Sequence, residues 1–266
     1  ATGGRAVCSG GVVRTDPRGS TQATTTGTNA PWGIDRTDQR SWHLNARYVA
    51  SADGTGVTAY MIDTVISYTS TEFGGRAVKG IDLITPGGTA ADCHGHGTGT
   101  ASRVGGAKFG SAKNVRLVAV RVADCNGSAI LTSTVLSAVD WVTANRTLPA
   151  VANMSLIVPA SSALNLAVAN SIASGVVYVV AAGNNADDAC QYSPASASGT
   201  LTVGATNSVD RFASWSSFGS CVAINAPGEN ITMAWYGINT ATKTSSGTPF
   251  TSPHVAGTAA RRRGAR

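Results

Sequence analysis

Short apolar runs rich in valine recur along the chain at residues 57–63, 115–122, 150–158, 176–182 and 201–205. Their length and β-branched content predict strands, and their continuity predicts burial on both faces, as in a parallel sheet. Between these runs the apolar positions change period. Leu131, Val135, Ala138, Val139 and Val142 form one helical stripe; Leu164, Ala167, Val168 and Ile172 form another, which Gly175 ends. Strand-like runs alternating with helical stripes predict an α/β fold with a mostly parallel central sheet and helices on both faces. In open sheets of that kind ligands bind beyond the carboxyl ends of the strands. Asp63 and Asn184 stand at or just after such ends, which makes them the first candidates for chemistry.

Residues 1–30 are rich in Gly, Thr, Ser and Ala and show no periodicity, which predicts a flexible lead-in. The chain of 266 residues, 42% hydrophobic, suffices for one large domain with a full core, placed at 31–260. No internal repeat is evident. No apolar run reaches the roughly 20 residues of a membrane span, and the first residues show no signal-peptide pattern. The net charge of +6 suggests an acidic partner, but most of the excess is Arg261, Arg262, Arg263 and Arg266. A charge run there predicts a solvated basic tail at 261–266, and no basic face interleaved with aromatics supports nucleic-acid binding. Five cysteines are present, at Cys8, Cys93, Cys125, Cys190 and Cys221, with no C-x-x-C zinc spacing.

The segments with candidate chemistry stand in a definite order. Pro31-Trp32-Gly33-Ile34-Asp35-Arg36 with Asp38-Gln39-Arg40 comes first, then Tyr60-Met61-Ile62-Asp63-Thr64, then Cys93-His94-Gly95-His96-Gly97-Thr98. Val180-Ala181-Ala182-Gly183-Asn184 follows, and the last is Ser246-Gly247-Thr248-Pro249-Phe250-Thr251-Ser252-Pro253-His254-Val255-Ala256-Gly257. Singly, each has an ordinary reading: Asp63 as a helix cap, His96 and Asn184 as turn residues. In this order they resemble the subtilisin-like serine proteases, in the branch of proteinase K and aqualysin. The order Asp, His, Ser separates that family from chymotrypsin and the α/β-hydrolases.

The resemblance implies a three-layer subtilisin-like fold and roles for particular residues. A serine hydroxyl is a poor nucleophile until a histidine takes its proton, and a carboxylate must orient that histidine. By resemblance Asp63 is the orienting carboxylate, His96 the general base and Asn184 the side-chain donor to the oxyanion. The resemblance also implies that Ser155, Leu156, Ile157 and Gly183 line the substrate groove. Cys93 with Cys125 and Cys190 with Cys221 fall where aqualysin-like enzymes place two disulfides. Each would close a loop worth roughly 3–4 kcal/mol in the chain-entropy model, and would imply secretion into an oxidising compartment. Two pairs of buried thiols are the alternative, and Cys8 is left over. Val12-Val13-Arg14-Thr15 ahead of Ala30-Pro31-Trp32 is similar to a junction between propeptide and mature enzyme, though a plain linker would read the same way.

The departures from the family pattern cluster where the chemistry should be. Gly247, Thr248 and residues 253–257 hold the last segment in register with G-T-S-M-A-T/S-P-H-V-A-G, so the slot of the nucleophilic serine holds Pro249. Proline suits the first position of a helix, so the fold can survive this change. Loss of the serine costs subtilisin about a million-fold in kcat, and Ser246 and Ser252 lie three residues to either side of the slot. Asp63-Thr64 is followed by Val65 where glycine is expected. The segment after His96 reads Gly97-Thr98-Gly99-Thr100-Ala101-Ser102-Arg103, with a histidine lost and an arginine gained. Ile157 and Val158 replace two glycines beside the groove and should narrow or block it. One calcium carboxylate of proteinase K relatives falls on Ala223. Asp35, Asp38, Gln39 and Asn45 still offer the oxygens that structural calcium takes, and equally suit a polar surface.

After Gly257 the resemblance implies several tens more residues, with an apolar helix first. The arginines instead predict that the helix ends or projects into solvent, in a C-terminally truncated domain of the kind a frame shift would leave. By family the expectation is a secreted, monomeric serine endopeptidase acting on proteins or peptides, with its own propeptide as a further partner and no catalytic cofactor. Pro249 predicts that the chain is catalytically dead. The alternative is a non-catalytic peptide-binding pseudoenzyme or a decayed gene product.

Overall fold

Ala59 and Met61 belong to one hydrophobic core and Tyr60 and Ile62 to another, although the four are consecutive in one strand. This is the two-residue period of a strand buried on both faces. The computed structural model describes residues 25–41, 43–88, 91–127 and 130–264. In chain order these form β1 (Thr25–Thr28), α1 (Trp32–Asp35), β2 (Arg47–Ala50), β3 (Thr58–Asp63), β4 (Ala77–Asp82), α2 (His96–Gly105) and β5 (Arg116–Arg121). There follow α3 (Thr132–Asn145), β6 (Ala150–Met154), β7 (Val158–Pro159), α4 (Ser162–Ala173), β8 (Val176–Ala181) and β9 (Tyr192–Ser193). The last elements are β10 (Leu201–Thr206), β11 (Val222–Pro227), β12 (Ile231–Ala234), β13 (Thr242–Ser245) and α5 (Ser252–Gly264).

The central sheet has the order β11-β10-β8-β6-β3-β5-β4, and every pair in it is parallel. Helices α2 and α5 cover one face through Ala101, Val104, Ala256 and Ala260. Helices α3 and α4 cover the other through Val135, Val139, Val142, Leu164 and Val168. The three-layer α/β architecture expected from the sequence is therefore present. Strand β3 has β5 and β4 on one side and β6, β8, β10 and β11 on the other, so the strand order reverses beside it. Crevices beyond the carboxyl ends form at such a switch point. Asp63 closes β3, Ser155 follows β6, and Asn184 comes shortly after β8.

Several boundaries differ from the sequence reading. The run at 150–158 is split: β6 stops at Met154, whose partners Ile62 and Val180 lie near the ends of their own strands. Residues 155–157 then leave the sheet before Val158 pairs with Ser193. Edge strands β4 and β11 carried no continuous apolar signal, because Lys79 and Gly80 interrupt one and Asn225 and Pro227 the other. Thr25–Thr28, read as part of the lead-in, pairs antiparallel with β2. Cys8, the junction at 12–15, and Arg266 lie outside the described residues.

The arginine-rich end also differs. Helix α5 continues through Arg261, Arg262 and Arg263 to Gly264. Arg261 is not a solvated tail residue: its Nη1 donates to the Tyr48 hydroxyl at 2.5 Å, and its guanidinium lies 5.6 Å from the Tyr48 ring centre. An aromatic face and a phenol oxygen accept a guanidinium that the apolar core would reject. No helix among the described residues is long and apolar enough to cross a membrane.

Candidate active site

Asp63 and His96 come from different elements, the end of β3 and the first turn of α2, and meet with Asp63 Oδ1 2.7 Å from His96 Nδ1. The carboxylate side chain is 3% exposed and the imidazole 20%. Asp63 is held from two further directions, by the Thr64 amide on Oδ1 at 2.7 Å and by the Thr100 hydroxyl on Oδ2 at 3.0 Å. Burial disfavours the charged form of His96, but the charge and hydrogen bond of Asp63 outweigh it, and the ring titrates above its ordinary value. A pair so arranged can take up a proton on Nε2 and stabilise it there.

What faces the outer side of that ring is not a hydroxyl. Residues 248–250 form one 3-10 turn, with Pro249 in its middle and the Phe250 ring centre 5.4 Å from that of His96. Among the described residues, no hydroxyl is hydrogen-bonded to the His96 ring. Ser252 Oγ lies 3.1 Å from Ser155 Oγ, which itself donates to the Pro249 carbonyl at 2.8 Å. Ser246 Oγ accepts from the Asn230 amide. Thus the two serines nearest in sequence to residue 249 are turned to other partners.

Asn184 lies across this turn. Its Oδ1 accepts from the Thr248 amide at 2.8 Å and the Thr248 hydroxyl at 2.9 Å. With the oxygen end held twice, the amide Nδ2 is left as the end free to donate, on an exposed residue. Gly183 just before it has φ +111° and donates to Thr248 Oγ1 at 3.1 Å. A Cβ on Gly183 would come within 3.0 Å of Ile157 Cδ1. The predicted residues Asp63, His96, Pro249, Asn184, Ser155, Leu156, Ile157 and Gly183 therefore border one region. Asp63, His96, Ser155, Leu156 and Ile157 share a cavity of about 180 Å³ there. Sequence reasoning missed Thr248, next to Pro249, and Thr100, one helical turn after His96.

Helix α2 is built from poor helix formers, so tertiary contacts must fix it. A Cβ at Gly97 would stand 2.1 Å from the Val65 carbonyl oxygen, and one at Gly99 2.7 Å from Met233 Sδ. Asp92 takes the free amides at its start, accepting from Gly95 at 2.8 Å and Thr98 at 3.3 Å. The expected glycine after Asp63-Thr64 has a physical basis here. Val65 is buried with φ +150°, a region β-branched residues avoid, at a cost of about 1–3 kcal/mol.

Both expected disulfides are formed, Cys93–Cys125 and Cys190–Cys221. The first lies beside Arg121, which pairs with buried Asp82 at 3.0 Å at the end of β5. The extra arginine of α2 is wholly buried. Arg103 Nη2 lies 2.7 Å from His254 Nε2, Nη1 reaches the Thr232 carbonyl at 3.3 Å, and Nε has no partner. Burial pushes Arg103 down to about 9, with the charge of Glu72 only partly opposing it. Burial and the Arg103 charge hold His254 well below 6.5.

The candidate calcium residues are gathered but engaged. Asp35 accepts from Gln39 Nε2 at 3.0 Å and the Ala46 amide at 2.7 Å; Asp38 accepts from Gln39 Nε2 at 3.3 Å and the Val49 amide at 2.7 Å. Asn45 Oδ1 accepts from the Arg47 amide. The side-chain amide of Gln39 thus stands between the two carboxylates. Among the described residues no group of three or more His, Cys, Asp or Glu is arranged to hold a metal.

A sequence profile described as the subtilase family matches residues 44–265. An extracellular serine proteinase of Thermus sp. (strain Rt41A) is 54% identical over 87% of this chain and 56% of its own length. An alkaline serine exoprotease A of Vibrio alginolyticus is 52% identical over 88% of this chain and 43% of its own length. The chain thus spans about half the length of the curated relatives it matches. The crystal structure of a cold adapted subtilisin-like serine proteinase superposes with a TM-score of 0.85 at 49% identity, covering 89% of this chain and 87% of that one.

Proposed function

The chain belongs to the subtilase family, and from that premise we propose that it binds extended peptides without hydrolysing them. The observation that carries the proposal is Pro249, between Thr248 on the Asn184 amide and Phe250 on the His96 ring. Acyl transfer in this family needs an oxygen that can give its proton to the histidine and attack the peptide carbonyl. Proline offers neither a hydroxyl nor an N–H. His96 keeps its orienting carboxylate and Asn184 its presented amide, so the groups that would stabilise charge remain while the bond-forming group is missing.

Peptide binding is supported by backbone left open beside these groups. Among the described residues, Leu156 and Ile157 make no backbone hydrogen bond to another segment, and they lie between β6 and β7. An open strip of this kind can take an added peptide strand, whose carbonyl then approaches the Asn184 amide. The family implies proteins or peptides as the molecules it meets. Two disulfides and the extracellular proteinase among its relatives support an oxidising, extracellular setting.

The Asp63–His96 pair favours a second reading, an active serine endopeptidase. A fluorophosphonate probe separates the two. The purified, folded chain is expected to stay unlabelled and to leave casein uncut, while a fluorescent peptide shows saturable binding. Covalent labelling of any residue in the cleft overturns the non-catalytic reading.

A further inference from the structure

The ring of Tyr48 carries two cations. The Arg261 guanidinium lies 5.6 Å from its centre and Lys113 Nζ lies 5.7 Å from it. We propose that the cavity beside this ring is an anion site, which takes a doubly charged oxyanion such as phosphate, free or as the end group of a small organic molecule. The cavity stands apart from the peptide cleft: His96 opens α2, and the cavity lies past the other end of that helix, about 14 Å along it.

Three separate segments build it. Lys108 and Lys113 come from the loop after α2, Tyr48 from β2, and Thr28 and Asn29 from the end of β1, around a volume of about 420 Å³. No carboxylate lines it. Glu72 and Asp38, whose charges reach Lys113 and Tyr48, are engaged with backbone amides. Glu72 accepts from Lys108 at 2.9 Å and Phe109 at 3.3 Å, and Asp38 from Val49 at 2.7 Å. Arg76 and Arg103 add positive charge near Lys113. Tyr48 is fixed between these groups, since its hydroxyl donates to the Ser111 carbonyl at 2.8 Å and accepts from Arg261.

Lys113 is a half-buried cation without a counter-ion. Among the described residues its Nζ hydrogen-bonds to the Ala107 carbonyl alone, which leaves most of its N–H donors unused. Burial holds it below the ordinary lysine value, and an anion in the cavity would reverse that loss of charge. Two ammonium groups lining one cavity suit a compact oxyanion, which accepts charge-assisted hydrogen bonds from several directions. Thr28 and Asn29, both exposed, supply a hydroxyl and a side-chain amide at the rim. A volume of this size admits the oxyanion with a small organic body.

The test is protection of Lys113 from acylation. The native chain is treated with an amine-acylating reagent at mildly alkaline pH in inorganic phosphate, in glycerol phosphate or in chloride at equal ionic strength, and each lysine is read by mass spectrometry. A bound dianion covers Nζ and favours its protonated, unreactive form. Phosphate is expected to slow acylation of Lys113 about tenfold against chloride, while the exposed Lys79 and Lys243 keep their rates. Protection by inorganic phosphate alone assigns the site to the free ion; protection by glycerol phosphate assigns it to an end group. The phosphate dependence of Tm gives the affinity, which Lys113→Met should weaken at least about tenfold. If that variant does not fold, Lys108→Met carries the same comparison. Equal Lys113 rates in all three solutions, equal slowing of every lysine, or an affinity unchanged in the folded variant overturns the anion site.

Discussion

Arg103 Nη2 stands 2.7 Å from Nε2 of His254 between helices α2 and α5, and neither residue exposes any surface. Arg103 has no carboxylate bonded to it and carries a partnerless Nε. A buried cation met only by neutral acceptors loses its hydration without recovering it. Arg103→Met keeps most of the volume and removes the charge. The variant is expected to be more stable by roughly 1–4 kcal/mol, read as a rise in Tm; a lower Tm would show that the guanidinium stabilises the interface.

His254 gives the chain an acid sensitivity whose sign follows from its depressed folded value. The unfolded chain binds a proton at this residue near the ordinary value of 6.5, and the folded chain does so only well below it. Stability must therefore fall as pH drops below 6.5, by up to about 1.4 kcal/mol per pH unit from this group. His96, with its raised value, acts oppositely: its contribution is present in acid and is lost as pH rises through the folded value. Denaturant titrations of His254→Gln at pH 7 and pH 5 should show a smaller acid loss than the native chain, and an identical loss would remove His254 as the cause.

Pro249→Ser restores a hydroxyl beside Phe250 but leaves Ile157 against Gly183 and the strained Val65 behind Asp63. A misplacement of about 1 Å already costs on the order of a hundredfold. The single variant is expected to stay near the blank in peptide hydrolysis, while Pro249→Ser with Ile157→Gly gains at least about tenfold in kcat/KM. Vigorous turnover by the single variant would mean that neither Ile157 nor Val65 misplaces the reacting groups.

The disulfides close spans of 32 and 31 residues. Loss of either bond is expected to cost roughly 3–4 kcal/mol. Chemical denaturation of Cys190→Ser/Cys221→Ser and of Cys93→Ser/Cys125→Ser checks this pair by pair. The latter should also weaken peptide binding, because Cys93 lies three positions before His96 in the turn that leads into α2.

Calcium should leave the melting temperature unchanged, since the carboxylates of Asp35 and Asp38 already accept from N–H donors. A rise of several degrees with millimolar calcium, reversed by a chelator, would mean that Gln39 turns its amide oxygen toward a bound ion.

The layers of this fold were legible because burial leaves a periodic mark. Valine-rich runs such as 176–182 and the stripe from Leu131 to Val142 each became the element their period implied. Elements at the sheet edges were not legible, since β4 and β11 have a solvent side and tolerate Lys79 and Asn225. At the arginine-rich end charge alone predicts solvent, which Arg262 meets, whereas Arg261 had Tyr48 to lie on, more than 200 positions away.

Order and spacing of short motifs determined the family of this chain and the absence of a hydroxyl at position 249, because both are properties of covalent sequence. Which groups now stand around that position was decided only by folding. Phe250 on His96, Thr248 on Asn184, Ile157 against Gly183 and Arg103 against His254 each join separate elements. Such contacts depend on where packed layers bring their ends together, at distances of a few ångströms that no one-dimensional pattern encodes.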